Sequence, residues 1–137
     1  MKTPLLTFNT VTRNGTRYEV TDALPALIER INARGQLSGG VPIANKIRLN
    51  ENGRISTVAS GDVVGHVLDV ELVEDEHGIR LMGEVVLNAV GATMRLDLQT
   101  DICPAAIISS RLVDRVRIKA LKEVPYFSVW GSPTLRR

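Results

Sequence analysis

Apolar residues recur along this chain with two different periods, and the change of period divides it. Leu24, Leu27, Ile28 and Ile31 fall at i, i+3, i+4 and i+7, which is one face of an α-helix. The spacing predicts a helix over about residues 22–34. Asp22 is placed to cap its start, Pro25 sits in the first turn where a missing N–H is harmless, and Gly35 is placed to end it in the left-handed conformation. From residue 54 onward the period falls to two. In VVGHVLDVELVED the even positions Val64, His66, Leu68, Val70 and Leu72 share one face, with Asp69 and Glu71 on the other. In IRLMGEVVL the odd positions Ile79, Leu81, Gly83, Val85 and Leu87 do the same. With DEHG at 75–78 as the turn, these two runs predict a long hairpin whose one side, including the His66 imidazole, faces the core.

Shorter signals fill in the rest. PLLTFNTVT at 4–12 reads as a strand, and Asn14-Gly15 within RNG supplies a tight turn after it. Residues 36–53, rich in glycine and asparagine, read as a long connection with a short extended piece at 46–49. Val90, Met94 and Leu98 recur every four residues and predict a short helix at about 89–99. AAIISSRLV, RVRIKALKEV and YFSVW then supply three more strands. The fold class that follows is mainly β (α+β): a small antiparallel β-barrel or curled sheet with one amphipathic helix and one short one, in a single domain over 1–137.

Composition agrees with a packed domain: 44% of residues are hydrophobic and 23% charged. The net charge is only +2, and arginine supplies 13 of the 17 basic residues, a bias suited to paired carboxylates and interfaces. Aromatics are 4%, too few for a nucleic-acid groove that interleaves them with basic residues, so no specific nucleic acid is expected. The stripe Arg115-Val116-Arg117-Ile118-Lys119 alternates as the solvated face of a strand does. Cys103 is the single cysteine, which excludes an internal disulfide and any cysteine-pair metal motif. No stretch has the length of a signal peptide's apolar core or of a membrane span, so neither secretion nor a membrane is expected. No metal-ligand spacing, calcium loop or phosphate loop is present, and the sequence implies no cofactor and no metal.

The order of the pieces resembles a family. TRNGTRY before the first helix, GHVLDVELVEDEHGIRLMGEVVL as a hairpin, Gly91 near the start of a short helix, PAAIISSR as a strand with a serine pair, and VPYFSVWGSP at the end together resemble the tailed-bacteriophage prohead (capsid maturation) proteases. These share a fold with the herpesvirus assembly protease, a small, mostly antiparallel barrel with helices around it. The resemblance covers about residues 8 to 133. It implies a nucleophile at Ser109, with Ser110 as the alternative, and a histidine base from a His-Pro stretch after the first helix. That stretch here reads LSGGVPIANK, with Val41-Pro42 where His-Pro is expected, and no histidine precedes His66.

Two histidines remain, His66 on the hairpin strand and His77 in its acidic turn. If the chain is an active protease, its catalytic residues are Ser109 or Ser110 with His66 as base. If not, losing the base matters greatly, because the oxyanion hole and binding alone leave only about 10³–10⁴-fold catalysis over water. The resemblance therefore implies one of two functions. The first is a virion structural protein, a decoration, cement or head-vertex component on a degenerate protease fold, with the major capsid protein or other head proteins as partners. Such a protein is expected as a homo-oligomer on the particle, made in the host bacterial cytoplasm. The second is a serine protease that processes scaffold and capsid precursors. A small binding module with no virion role is the third possibility.

Overall fold

The computed structural model describes residues 2–12, 15–45, 47, 51–52 and 58–129. Along the chain run β1 (Lys2–Thr7), β2 (Thr16–Tyr18), α1 (Leu24–Ser38), β3 (Val41–Ala44), β4 (Val63–Asp75), β5 (Gly78–Leu87), α2 (Ala89–Ala92), β6 (Ile102–Val113) and β7 (Val116–Val129). The strands make one sheet in the order β1-β5-β4-β3-β7-β2, and β6 takes the other edge of β7. Its two ends, β1 and β6, approach one another without exchanging a ladder. The sheet is thus mainly antiparallel and curled, as expected, but it does not close into a barrel.

α1 forms with Pro25 in its first turn and buries Leu24, Leu27 and Ile31, while Ile28 is half-buried. Its ends differ from the expectation. Ala23 occupies the cap position without a side-chain hydrogen bond, so Asp22 is not the cap. Gly35 lies inside the helix, and Gly39, at φ 75°, ends it instead. The added turn has a packing cause: Gly35 is buried against the backbone of Gly40, whose N–H donates to the Gly35 carbonyl at 2.6 Å. A Cβ on Gly40, at φ 120°, would come within 2.8 Å of the His66 Cβ, so the chain leaves the helix by a path only glycine fits.

Directly after that exit lies a strand where a loop was expected. β3 pairs antiparallel with β4 and parallel with β7, through Ile43↔Phe127 and Ala44↔Ser128. Val41, Ile43 and Ala44 are all buried, and four residues flanked by glycine and asparagine are too short for a period-two signal to stand out. The extended piece expected at 46–49 falls largely outside the described residues, as do two residues of the RNG turn. β1 ends at Thr7, sooner than expected, because Asn9 turns the chain at φ 58°. Phe8 nevertheless stays in the core, its N–H bonded to the Ile79 carbonyl at 2.8 Å.

The β4–β5 hairpin forms with Glu76 and His77 at its turn, but its faces are not in one phase. A bulge between Leu68 and Glu71, with Asp69 at φ 51°, shifts the register. Before the bulge the inward row is Val41, Val67 and Val85; after it Val70 faces the core. His66 therefore belongs to the other row, between Pro42 and the exposed Val86, and its side chain is half-buried on the sheet's outer side. The expected inward imidazole does not form.

A side chain from α1 repairs the bulge. Asn32 donates from Nδ2 to the Val70 carbonyl and accepts at Oδ1 from the Val70 N–H, both at 2.9 Å. The amide thus takes the place of a neighbouring strand at Val70, one of the two residues that the register shift leaves unpaired, and it fastens the helix to the sheet.

α2 spans four residues where about eleven were expected. Asn88 caps it by accepting from Gly91 N at 2.9 Å, and Arg95, at φ 54°, prevents its continuation. Met94, Leu96 and Leu98 still pack against the core from the irregular segment that follows. RVRIKALKEV and YFSVW, expected as two strands, are one 14-residue strand that runs through Pro125. The missing proline N–H is tolerated because β6 shifts register there, between Ala105↔Tyr126 and Ile107↔Glu123.

Replacing Asn32 by alanine leaves both Val70 groups without their protein partner and is expected to lower unfolding free energy by about 1–3 kcal/mol. Urea denaturation of the two chains measures this, and an unchanged midpoint would show that the bulge does not need the amide.

Candidate functional site

The serine pair lies on β6, whose hairpin with β7 turns at Asp114 and Arg115 with φ of 48° and 67°. Two consecutive left-handed residues make the tight turn that matches strand twist, and the register follows from it. Val113 pairs with Val116, Arg111 with Ile118, Ser110 with Lys119 and Ser109 with Ala120. Both serines are exposed, and among the described residues neither hydroxyl makes a side-chain hydrogen bond.

Sheet order separates them from the histidines. Two strands, β3 and β7, stand between β4 and β6. His66 is opposite Pro42, one position before the Ile43↔Phe127 pair, whereas Ser109 is opposite Ala120. Measured along the sheet, that is about 14 Å across and about 20 Å lengthwise at ordinary strand spacings. A general base works at 2.6–3.2 Å, so Ser109 and His66 are not brought together as a dyad. His66 does stand beside Pro42, where the resemblance expects the His-Pro stretch. His77 is a solvated turn residue, its ring 3.4 Å from the Glu76 carboxylate and its N–H bonded to Asp75 Oδ1 at 2.8 Å.

Arg111, next to the serines, is already engaged. Its guanidinium grips the Glu19 carboxylate with two bonds, of 2.9 and 3.0 Å, across β7. Those bonds, more than the charges of Arg111 and Arg17, hold the Glu19 carboxyl below its ordinary range against partial desolvation, and they raise Arg111 in return. Arg111, Ser109 and Glu19 share a face by strand alternation, so the ion pair passes over Ile118 and Ala120, which are buried.

The opposite face holds a partner that sequence reading missed. Lys119, directly opposite Ser110, places its ammonium 5.8 Å from the centre of the Tyr18 ring. The ring face attracts the ammonium, which draws the Lys119 side chain towards Tyr18. Beside this pair the gap between β1 and β6 opens into a cleft of about 490 Å³, lined among others by Leu5, Thr16, Tyr18, Ile102, Cys103 and Lys119. Burial raises the Cys103 thiol, against the opposing hydrogen bond to Ser128 at 3.2 Å. Burial also raises the Tyr18 phenol, with Cys103 adding to it. Both groups therefore stay protonated at neutral pH, and the thiol is not a ready nucleophile. Among the described residues no three histidine, cysteine or carboxylate side chains gather where they could hold a metal ion, and no helix is long and apolar enough to cross a membrane.

The curled, mainly β sheet with one long helix on it is a prohead-protease-like fold. A solved structure shares it over nearly the whole chain: the capsid assembly protease of bacteriophage T4, gp21, matches with a TM-score of 0.56. The match covers 96% of this chain and 81% of the phage protein at 15% identity, which makes it a likeness of fold. No family model and no curated protein matches the sequence.

Two measurements check this geometry. Ser109→Ala removes an exposed, unpartnered hydroxyl and is expected to change stability by no more than about 0.5 kcal/mol. The Glu19–Arg111 pair has a definite pH signature: Glu19 is depressed in the folded state, so its contribution is complete above the unfolded carboxyl's range and fades as pH falls through the folded one. Glu19→Gln should be less stable than the parent at pH 7 and converge on it in acid, as thermal midpoints across pH would record.

Proposed function

We propose that the chain is a phage head protein that keeps the protease-like fold and works by adhesion, as a decoration, cement or vertex component bound to the major capsid protein or another head protein. The observation that carries this reading is the setting of the serine pair. Ser109 faces Ala120, Ser110 faces a lysine drawn to an aromatic ring, and Arg111 is tied to Glu19. A hydroxyl nucleophile needs an adjacent base to be deprotonated at neutral pH, and among the described residues no histidine or carboxylate stands directly opposite either hydroxyl on β7. The structural likeness to a capsid assembly protease supports the phage-head context.

The second reading, a serine protease acting on scaffold and capsid precursors, draws its support from the cross-strand position of Lys119 relative to Ser110. A neutral lysine there would be a base within one strand spacing.

A fluorophosphonate probe, which labels activated serines, separates the two. The adhesion reading expects the purified chain to remain unlabelled and to be retained in mature particles at a copy number comparable to other head proteins. Labelling that disappears in Ser109→Ala or Ser110→Ala, with cleaved head precursors on coexpression, would establish the protease instead.

A further inference from the structure

We infer that the outer edge of β6 is a self-association surface, on which residues 107–113 of two copies pair antiparallel about a two-fold axis at Ser110. This rests on the strand itself and holds whichever reading of function is right.

Among the described residues β6 bonds to β7 alone, so its other edge carries a row of backbone donors and acceptors with no strand beside them. Apolar side chains collect along the far half of that edge: Ile107 is 40% exposed, Leu112 67% and Val113 42%. The near half is different. There β6 borders the cleft opposite β1, and each of these two edge strands carries a proline, Pro104 and Pro4, a residue with no N–H to give a neighbour. Residues 107–113 contain none.

The occupant follows from the sequence of this stretch, Ile-Ile-Ser-Ser-Arg-Leu-Val. Laid antiparallel on itself with Ser110 at the axis, it sets Ile107 against Val113, Ile108 against Leu112, and Ser109 against Arg111. Every apolar residue meets an apolar one. Moving the axis to Ser109 sets Ile107 against Arg111; moving it to Arg111 sets two guanidinium groups face to face; placing it between the serines sets Ile108 against Arg111. A second copy thus satisfies the edge in one register. Charge permits it too, because Arg111 is the only charged residue in the stretch and Glu19 already neutralises it. The turn residues Asp114 and Arg115 then fall opposite the small Ala106 and Ala105. An isologous contact of this kind extends the sheet across two molecules and closes at two. With seven residues a side it is smaller than the roughly 800 Å² per partner of a standard interface, so the dimer is weak and concentration-dependent.

The register can be tested by cross-linking the full chain. Residues facing each other across an antiparallel pair have Cα atoms about 4.5–5.5 Å apart, inside the range a disulfide spans. Ser110→Cys should therefore form a covalent dimer under mild oxidation roughly tenfold faster than Ser60→Cys, an exposed position outside β6, because pairing raises the effective concentration of the partner thiol. Peptide mapping would place the bond between the two introduced residues and not at Cys103. Adding Leu112→Lys should remove the advantage, and in sedimentation the same change alone should abolish a dimer that the unmodified chain forms at high concentration. Equal rates for the two cysteine variants, faster cross-linking of Ser109→Cys, or a chain that stays monomeric at every concentration and pairs this edge only with another protein would each overturn the inference.

Discussion

Strand β7 is the constraint on which the other elements depend. One of its edges is shared between β2 and β3, both running parallel to it, and its other edge is taken by β6 along its whole length. Without it β2 and β6 would have no strand partner, and β3 would keep only β4. Its side chains also fill the centre of the molecule, since Leu121, Val124, Phe127 and Val129 belong to the core cluster. Fourteen residues can serve three neighbours because the pairing with β6 shifts register twice, at Val124-Pro125 and again at Lys122. The bulge lets the inward row change phase, so a proline costs no ladder bond that β6 could have made.

The register of that strand also sets which side chains face the serines. Whatever stands opposite Ser109 and Ser110 is supplied by β7, and it supplies a methyl group and an ammonium. Likeness of backbone to a capsid protease does not carry a triad with it, because a triad is a matter of three side chains within hydrogen-bond reach. The Arg111–Glu19 pair adds to this. It joins β6 to the segment after β2 across β7 and uses the guanidinium that an incoming carbonyl or carboxylate would otherwise meet.

Much of this was legible in the residues. The helix face at Leu24, Leu27 and Ile31 and the existence of the β4–β5 hairpin follow from periodicity, and the strand bearing the serine pair follows from its β-branched residues. What stayed hidden depends on tertiary context. The phase change in β4 comes from a bulge at Asp69, and its repair comes from Asn32, a polar residue on a helix that gives no sign of a partner 38 positions away. β3 is short, buried on both faces and framed by turn residues, so it resembled the loop around it. α2 stops early because of one left-handed residue, Arg95, that the four-residue spacing of Val90, Met94 and Leu98 cannot reveal. The facing of Ser110 and Lys119 was within reach. A two-residue turn at Asp114-Arg115 fixes the pairing of the hairpin from Val113 back to Ile108, but the stretch reads as strand on both sides with no turn type assigned.

The place of β7 in the chain gives its pairing role a further meaning. Strands β1 to β6 all precede it, so during synthesis from the N-terminus the residues that join β2, β3 and β6 emerge after all three. Until then β3 and β6 are unsatisfied along a long edge, and α1 covers a sheet that still lacks its middle. The nascent molecule must therefore wait, partly unpaired, for a distant segment to arrive. The two parallel pairings of β7 close over long stretches of chain, Thr16 with Arg117 and Ile43 with Phe127, and closure of that kind is slow.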